Sequence, residues 1–169
     1  MNLVAITGVG VKIPEAEITN EELVASFNEW VGRENRKRAK CGKEPLPGSS
    51  VAFIEHASGV KSRHVIAADG ILDPERMTPR IPRRDNEELS VMAEFGVASA
   101  RQAIEDAGVD PASIDMVICA ASHQQRNYPA MSIEMQKELG TSGAAFDMSL
   151  GCSSAAAGLH VAANLGRSG

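Results

Sequence analysis

The residues best suited to chemistry lie in one run, Phe146-Asp-Met-Ser-Leu-Gly-Cys-Ser-Ser-Ala-Ala-Ala-Gly158. The apolar stretch Ala144–Ser149 predicts a short strand, Gly151 a sharp turn, and Ser153–Leu165 an Ala-rich helix. Cys152 then falls at the first turn of that helix. Free N–H groups and the helix dipole favour negative charge there. A thiol at such a point should lose its proton more easily than a free one. The same N–H groups can hold the oxyanion that forms on a thioester carbonyl. Ser153 to Gly158 are all small, so the helix is expected to be buried against neighbouring backbone. This pattern suits Cys152 as the nucleophile of acyl transfer through a covalent thioester. A structural buried cysteine, the common fate of free thiols, fits the same pattern. The spacing alone leaves both readings open.

Other reactive side chains add little. His160 is eight positions beyond Cys152, about 12 Å along a helix at 1.5 Å per residue, too far for a thiol partner. It reads as a packing or surface residue. His123 follows a predicted strand, where α/β sites gather, yet reads as a loop residue. His56, His64 and Cys41 carry no signal. The three cysteines (Cys41, Cys119, Cys152) are odd in number and widely spaced. They suggest neither a disulfide framework nor a metal site.

The elements around that run follow from capping and periodicity. Leu3–Val9 is an apolar run that predicts a buried strand. Thr19 and Glu22 form a capping box, and Leu23, Val24, Phe27 and Trp30 continue at helical spacing, so a helix is expected over about 20–31. A basic, irregular loop is expected over about 33–50, with Arg33, Arg36, Lys37, Arg38, Lys40 and Lys43. Val51–His56 is a short helix or strand. A second loop covers about 67–84, with three prolines. Asp85 and Glu88 pair as a second capping box, and Gly108 stops the helix they open. Met116–Ala121 is a continuous apolar run, as a strand covered on both faces requires. Pro129–Leu139 is a helix ended by Gly140.

Strands alternating with helices imply parallel strands and right-handed crossovers, hence an α/β class. At 169 residues the chain can bury one core. A net charge of −5 argues against a general nucleic-acid binder. No apolar run reaches the ~20 residues of a membrane span, and the first residues do not read as a signal peptide. A cytoplasmic protein is expected. An open α/β layer should add a strand after the last helix, so a portion of a longer polypeptide is expected.

Several ordered motifs make the whole chain resemble the N-terminal half of the β-ketoacyl-acyl-carrier-protein synthase III family of thiolase-fold condensing enzymes. The family's Thr-Gly-x-Gly-x-x-x-Pro opening is similar to Thr7-Gly-Val-Gly-Val-Lys-Ile-Pro14, and its Asp-Glu-Trp to Asn28-Glu29-Trp30. Its Thr-Gly-Ile-x-x-Arg is similar to Ser58-Gly-Val-Lys-Ser-Arg63. Its Ala-x-x-Ala-x-x-x-Ala-Gly matches Ala100–Gly108. The strand, Phe/Tyr-Pro and helix–Leu-Gly block matches Met116–Gly140, and Cys152 falls where the nucleophile does. Chalcone-synthase and hydroxymethylglutaryl-CoA synthase relatives differ more around the cysteine.

The resemblance implies a thiolase-like fold of two βαβαβ repeats, of which residues 1–169 are the first. It implies a decarboxylative Claisen condensation in fatty acid synthesis, with no cofactor. Acyl-CoA acylates Cys152; malonyl-acyl-carrier protein then loses carbon dioxide and its carbanion attacks the thioester. The family's His and Asn come from the second half, expected beyond Gly169. The chain alone would expose a large apolar face and be inactive in condensation. It would associate with its own C-terminal half and then form a homodimer. Partners would be acyl-carrier protein, with neither nucleic acid nor membrane.

By the same resemblance Trp30 stacks on the CoA adenine and Arg33 contacts the nucleotide. A core anchor is the alternative for Trp30. The basic run Arg33–Lys43 could attract CoA phosphates or an acidic carrier protein, or be a solvated loop. Tyr128 matches a Phe that reaches the dimer partner's acyl pocket, against plain interface packing; Ser122 matches a pocket-lining position. Ser153-Ser154 replaces the Ala-Gly of acetyl-primed members, and both long loops exceed the compact form. These departures resemble a branch primed by medium-chain acyl groups (β-ketodecanoyl synthases). Two alternatives stand: a quinolone or polyketide starter synthase sharing Cys152, and a non-catalytic acyl-carrier-binding subunit.

Overall fold

The computed structural model describes residues 3–168. The chain divides into two compact units, Ile13–Arg83 and the remainder.

In the first unit, strand β1 (Ala16–Thr19) leads directly into helix α1 (Asn20–Lys40). The predicted capping box is present. Thr19 Oγ1 accepts from the Glu22 N–H at 3.2 Å, and Glu22 Oε2 accepts from the Thr19 N–H at 2.9 Å. The helix does not end at Val31 as expected. Residues 33–40, assigned to an irregular loop, form its last two turns. They are mostly Arg, Lys, Glu and Ala, good helix formers. Lys37, Arg38 and Lys40 stand in the last turn, where cations complement the dipole. Gly32 costs about 1 kcal/mol relative to Ala, too little to stop them. The true loop is short and folds back on α1 through two asparagines. Asn35 exchanges both its amide groups with the Leu46 backbone, at 3.0 and 2.7 Å. Asn28 does the same with Ser49, at 2.9 and 2.8 Å.

Val51–Ser58 is a helix (α2), so the helix-or-strand ambiguity resolves to helix; Ser50 Oγ caps it by accepting from the Phe53 N–H. Strand β2 (Ser62–Val65) pairs antiparallel with β1, placing fully buried Ile18 opposite Arg63. The second loop is held by its own contacts. The Arg80 N–H donates to the Asp69 carbonyl, and the Arg80 guanidinium lies 3.1 Å from Asp73. The Asp73 carboxyl is held below its usual range by the Glu75 N–H first, and by Arg80.

In the second unit, helix α3 (Val91–Ala107) starts later than the sequence suggested. Ser90 caps it, accepting from the Ala93 N–H at 3.2 Å. The Asp85–Glu88 pair exists, with Glu88 Oε2 accepting from the Asp85 N–H at 2.7 Å, but closes an isolated turn. The same side-chain chemistry serves a turn and a helix start. Gly108 ends α3 at φ +64°, as predicted.

Strand β3 (Met116–Ala120), helix α4 (Met131–Leu139) and strand β4 (Ala144–Met148) make a parallel β–α–β unit, with Ile118 opposite Phe146. Helix α5 (Ser154–Ser168) packs on β3. Gly158 allows the close approach: a Cβ there would lie 2.7 Å from the Ala120 Cβ. The core comprises Val91, Ala93, Val97, Val117 and Met131.

The expected strand at Leu3–Val9 is absent among the described residues. That segment runs beside α3 instead. The Val9 N–H donates to Asp106 at 3.0 Å and the Val11 N–H to Gln102 at 3.1 Å. A Cβ on Gly8 would meet the Ala103 carbonyl oxygen at 2.1 Å, so only glycine approaches this closely. Leu3, Ile6 and Val9 remain exposed. An apolar run signals burial, but a strand also needs a partner edge.

Candidate active site

Cys152 sits just ahead of α5 rather than in its first turn, since the helix begins at Ser154. β4 ends at Met148, and the chain reverses through Leu150–Cys152 with Gly151 at φ +57°. The Ser153 and Ser154 N–H groups donate to the Leu150 and Gly151 carbonyls. The Cys152 side chain is exposed. The buried helix expected behind it is buried only at Ser154 and Gly158. Ala155 and Leu159 face outward, because β3 covers a single stripe of α5.

Two strand ends meet at this turn. The Ala121 N–H donates to the Met148 carbonyl at 3.1 Å, and Ser149 Oγ to the Ser122 carbonyl at 3.0 Å. The loop after β3 and the Cys152 turn are therefore fastened together at the C-terminal edge of the parallel pair, where α/β sites gather. Ser122, one of the expected pocket residues, is in that loop, its Oγ 3.3 Å from His123 Nδ1. Tyr128 follows on the same loop, 92% exposed and joined to Pro129 by a cis peptide. Such exposure suits a side chain that reaches into another surface.

Three groups that shape the site were not assigned roles from sequence. Asp147 accepts from the Met131 and Ser132 N–H groups, both at 2.8 Å, capping α4 from β4 because Ala130 has no side chain for the task. A lone carboxylate in the apolar run Ala-Ala-Phe-Asp-Met was the available signal. Buried Glu134 accepts from the Ser90 N–H at 2.9 Å and lies 3.2 Å from Arg126 Nε, anchoring the loop that carries Tyr128. Ser154 holds the Leu150–Cys152 turn.

Cys119 lies in β3, and burial first, then the Asp147 charge, pushes its thiol up to about 11. Burial disfavours its thiolate, so alkylation should spare Cys119 at pH 8 and accelerate only towards pH 11. Iodoacetamide labelling followed by peptide mass mapping checks this; prompt labelling of Cys119 at pH 8 would contradict it.

Trp30 and Arg33 belong to the other unit. There they line one hollow with Lys37, Lys40, Pro74 and Glu75. The Trp30 ring packs at 5.8 Å from Phe27. Arg33 is not a free cation: Glu29 and Glu75 both pair with it. Glu29 foremost raises its affinity for its proton further. Any contact of Arg33 with a nucleotide has to compete with two carboxylates, whereas Arg36 and Lys40 in the same hollow form no salt bridge among the described residues. Among the described residues no group of three metal-ligating side chains occurs, and no helix is long and apolar enough to cross a membrane.

No family model matches the chain. Curated relatives do. The chain is 48% identical over 141 residues to a β-ketodecanoyl-[acyl-carrier-protein] synthase of Pseudomonas aeruginosa, spanning 81% of this chain and 40% of that protein. It is 29% identical over 165 residues to a β-ketoacyl-[acyl-carrier-protein] synthase III of Streptomyces lividans, spanning 97% of this chain and 37% of the relative. The chain thus spans well under half the length of these relatives. Among solved structures, the priming β-ketosynthase of the R1128 polyketide pathway superimposes with a TM-score of 0.65 at 26% identity, covering 94% of this chain and 36% of that one. The 3-oxoacyl-[acyl-carrier-protein] synthase III of Aquifex aeolicus gives 0.63 at 22% identity, covering 96% and 40%.

Proposed function

We propose, for a chain homologous to the β-ketoacyl-[acyl-carrier-protein] synthases III and sharing their thiolase-like α/β fold, that Cys152 is the acyl acceptor of a decarboxylative condensing enzyme. The observation that carries the reading is the position of Cys152. It is exposed at a left-handed glycine turn between a parallel strand and a helix. In the first half-reaction the Cys152 thiolate attacks the carbonyl of an acyl-CoA. The C–S bond to CoA then breaks, CoA leaves as a thiolate that takes up the proton Cys152 released, and the acyl group stays as a thioester. In the second, malonyl-acyl-carrier protein releases carbon dioxide and its carbanion attacks that thioester. Cys152 is expelled and a β-ketoacyl-carrier protein forms. The chemistry needs no cofactor beyond these substrates, and the setting is cytoplasmic fatty acid synthesis. The His and Asn that would assist the second step lie on a C-terminal half, which this chain requires, and the working particle is a homodimer.

The high identity to a β-ketodecanoyl synthase supports a medium-chain primer. A β-ketodecanoyl product made by two-carbon extension starts from an eight-carbon acyl group, which makes octanoyl-CoA the primer to test first. Offering mixed acyl-CoAs and weighing the protein tests this; capture of acetyl alone contradicts it. Tyr128 and Ser122 are proposed to line the acyl pocket at the dimer interface, Tyr128 because it projects fully from its anchored loop.

Trp30 is proposed to stack on the CoA adenine, with Arg33 and its basic neighbours near the phosphates. Trp30→Ala should then raise the half-saturating octanoyl-CoA concentration for Cys152 acylation by about 10-fold, the loss of roughly 1–1.5 kcal/mol of aromatic contact. The limiting rate should stay unchanged. An unaltered half-saturating concentration returns Trp30 to its role as a packing partner of Phe27.

A further inference from the structure

The side chain of Ser154 is 2% exposed and touches three backbone groups of the site. Its Oγ accepts from the Leu150 N–H at 2.8 Å, and lies 2.8 Å from both the Ala121 and the Gly151 carbonyl oxygens. A hydroxyl has one proton to donate and two lone pairs to accept with. Ser154 therefore accepts from one end of the nucleophile turn and donates to a carbonyl of that turn or of the loop after β3. One side chain fastens β3, the turn and α5 together.

The Gly151 contact has a chemical consequence. The Gly151 carbonyl and the Cys152 N–H belong to the same planar trans peptide, in which the two groups point in opposite directions. The Ser154 N–H, at 3.2 Å, holds the Gly151 oxygen inward, against α5, and the Ser154 Oγ, 2.8 Å from that oxygen, shares its one proton between it and the Ala121 carbonyl. The Cys152 N–H is thereby aimed away from α5. In a thioester attack by Cys152, that N–H is the donor closest in the chain to the carbonyl oxygen becoming an oxyanion.

We infer that Ser154 is a positioning residue that fixes the peptide donating to the oxyanion during acylation of Cys152. It does not touch the substrate. Its role is to keep the Gly151–Cys152 peptide from turning over, which a left-handed glycine otherwise permits. Preorganised donors of this kind contribute strongly because they do not reorient during the reaction. The inference rests on Cys152 being the acyl acceptor.

Acylation and alkylation of the same sulfur separate this role from a merely structural one. Octanoyl-CoA builds an oxyanion at Cys152; iodoacetamide does not. Ser154→Ala should slow octanoyl transfer to Cys152 by about 10- to 100-fold, somewhat less than deletion of an oxyanion donor itself. Its Cys152 alkylation rate should stay within about 3-fold of the parent, a margin well inside one tenfold step of 1.4 kcal/mol. Ser154→Thr, which keeps the hydroxyl, should recover most of the transfer rate. Equal loss of both reactions, or loss of neither, overturns the inference. Half-buried Cys119 reports on folding: if it becomes reactive in Ser154→Ala, the acylation-to-alkylation ratio is read in Ser154→Gly, where an unchanged ratio is also contrary. A parent chain that takes up no octanoyl group overturns the acyl-acceptor reading itself. A parent that is acylated, with a variant equally fast, overturns only the role of Ser154.

Discussion

Cys152→Ala is expected to abolish octanoyl uptake from octanoyl-CoA, reducing the transfer rate by about 10³-fold or more, as loss of a covalent nucleophile does. Alanine keeps the small volume that the turn accommodates and removes only the sulfur. The side chain is exposed, so its removal leaves no cavity and the fold should persist. Cys119 cannot substitute, because burial and the Asp147 charge keep its thiol protonated up to about pH 11. Cys41 is exposed but lies just beyond α1, in the other unit. Residual transfer within about 10-fold of the parent would mean that another group accepts the acyl chain.

Asp147→Ala should be the most destabilising single change near the site. Among the described residues the carboxylate is the side chain that caps α4, with two bonds of 2.8 Å to successive amides. Hydrogen bonds to a charged group contribute about 1.5–3 kcal/mol each, and stranded amides add a desolvation cost. A loss of about 3 kcal/mol is expected after local relaxation, measured as a lower urea midpoint at unchanged slope. Asparagine should not rescue it well. Its single oxygen can serve one amide, while its NH₂ would face the other. A loss below about 1 kcal/mol would show that water replaces the carboxylate, as it does at an exposed cap.

The parts of this fold that were legible in the sequence depend on local chemistry. Thr19 and Glu22 cap α1 whatever surrounds them, and Gly108 and Gly140 end α3 and α4 because both take left-handed conformations. The strand at Met116–Ala120 was visible as a continuous apolar run. Two of the expectations that failed lacked a nonlocal fact. Asp85 and Glu88 make the pair that opens a helix, but the following residues run on to Ser90 before turning helical. Leu3–Val9 is as apolar as β3 but lies against α3 through glycine contacts, so its side chains stay exposed. Helix α1 outran its apolar stripe because the basic residues after Trp30 favour helix regardless of burial.

The same division holds at the site. Cys152 could be singled out because Gly, Cys and a run of small residues sit side by side. The role of Ser154 could not, because its partner Ala121 is 33 positions away and reaches it only through the β3–β4 pairing. Asp147 likewise meets Met131 and Ser132 only after α4 has crossed over.

The most direct measurement is to incubate the chain with octanoyl-CoA, digest it, and map the acyl group among its three cysteines. A single octanoyl thioester on Cys152, released by neutral hydroxylamine, with Cys41 and Cys119 unmodified, is the predicted result. No adduct on Cys152, or an adduct shared equally with exposed Cys41, would contradict its assignment as the acyl acceptor.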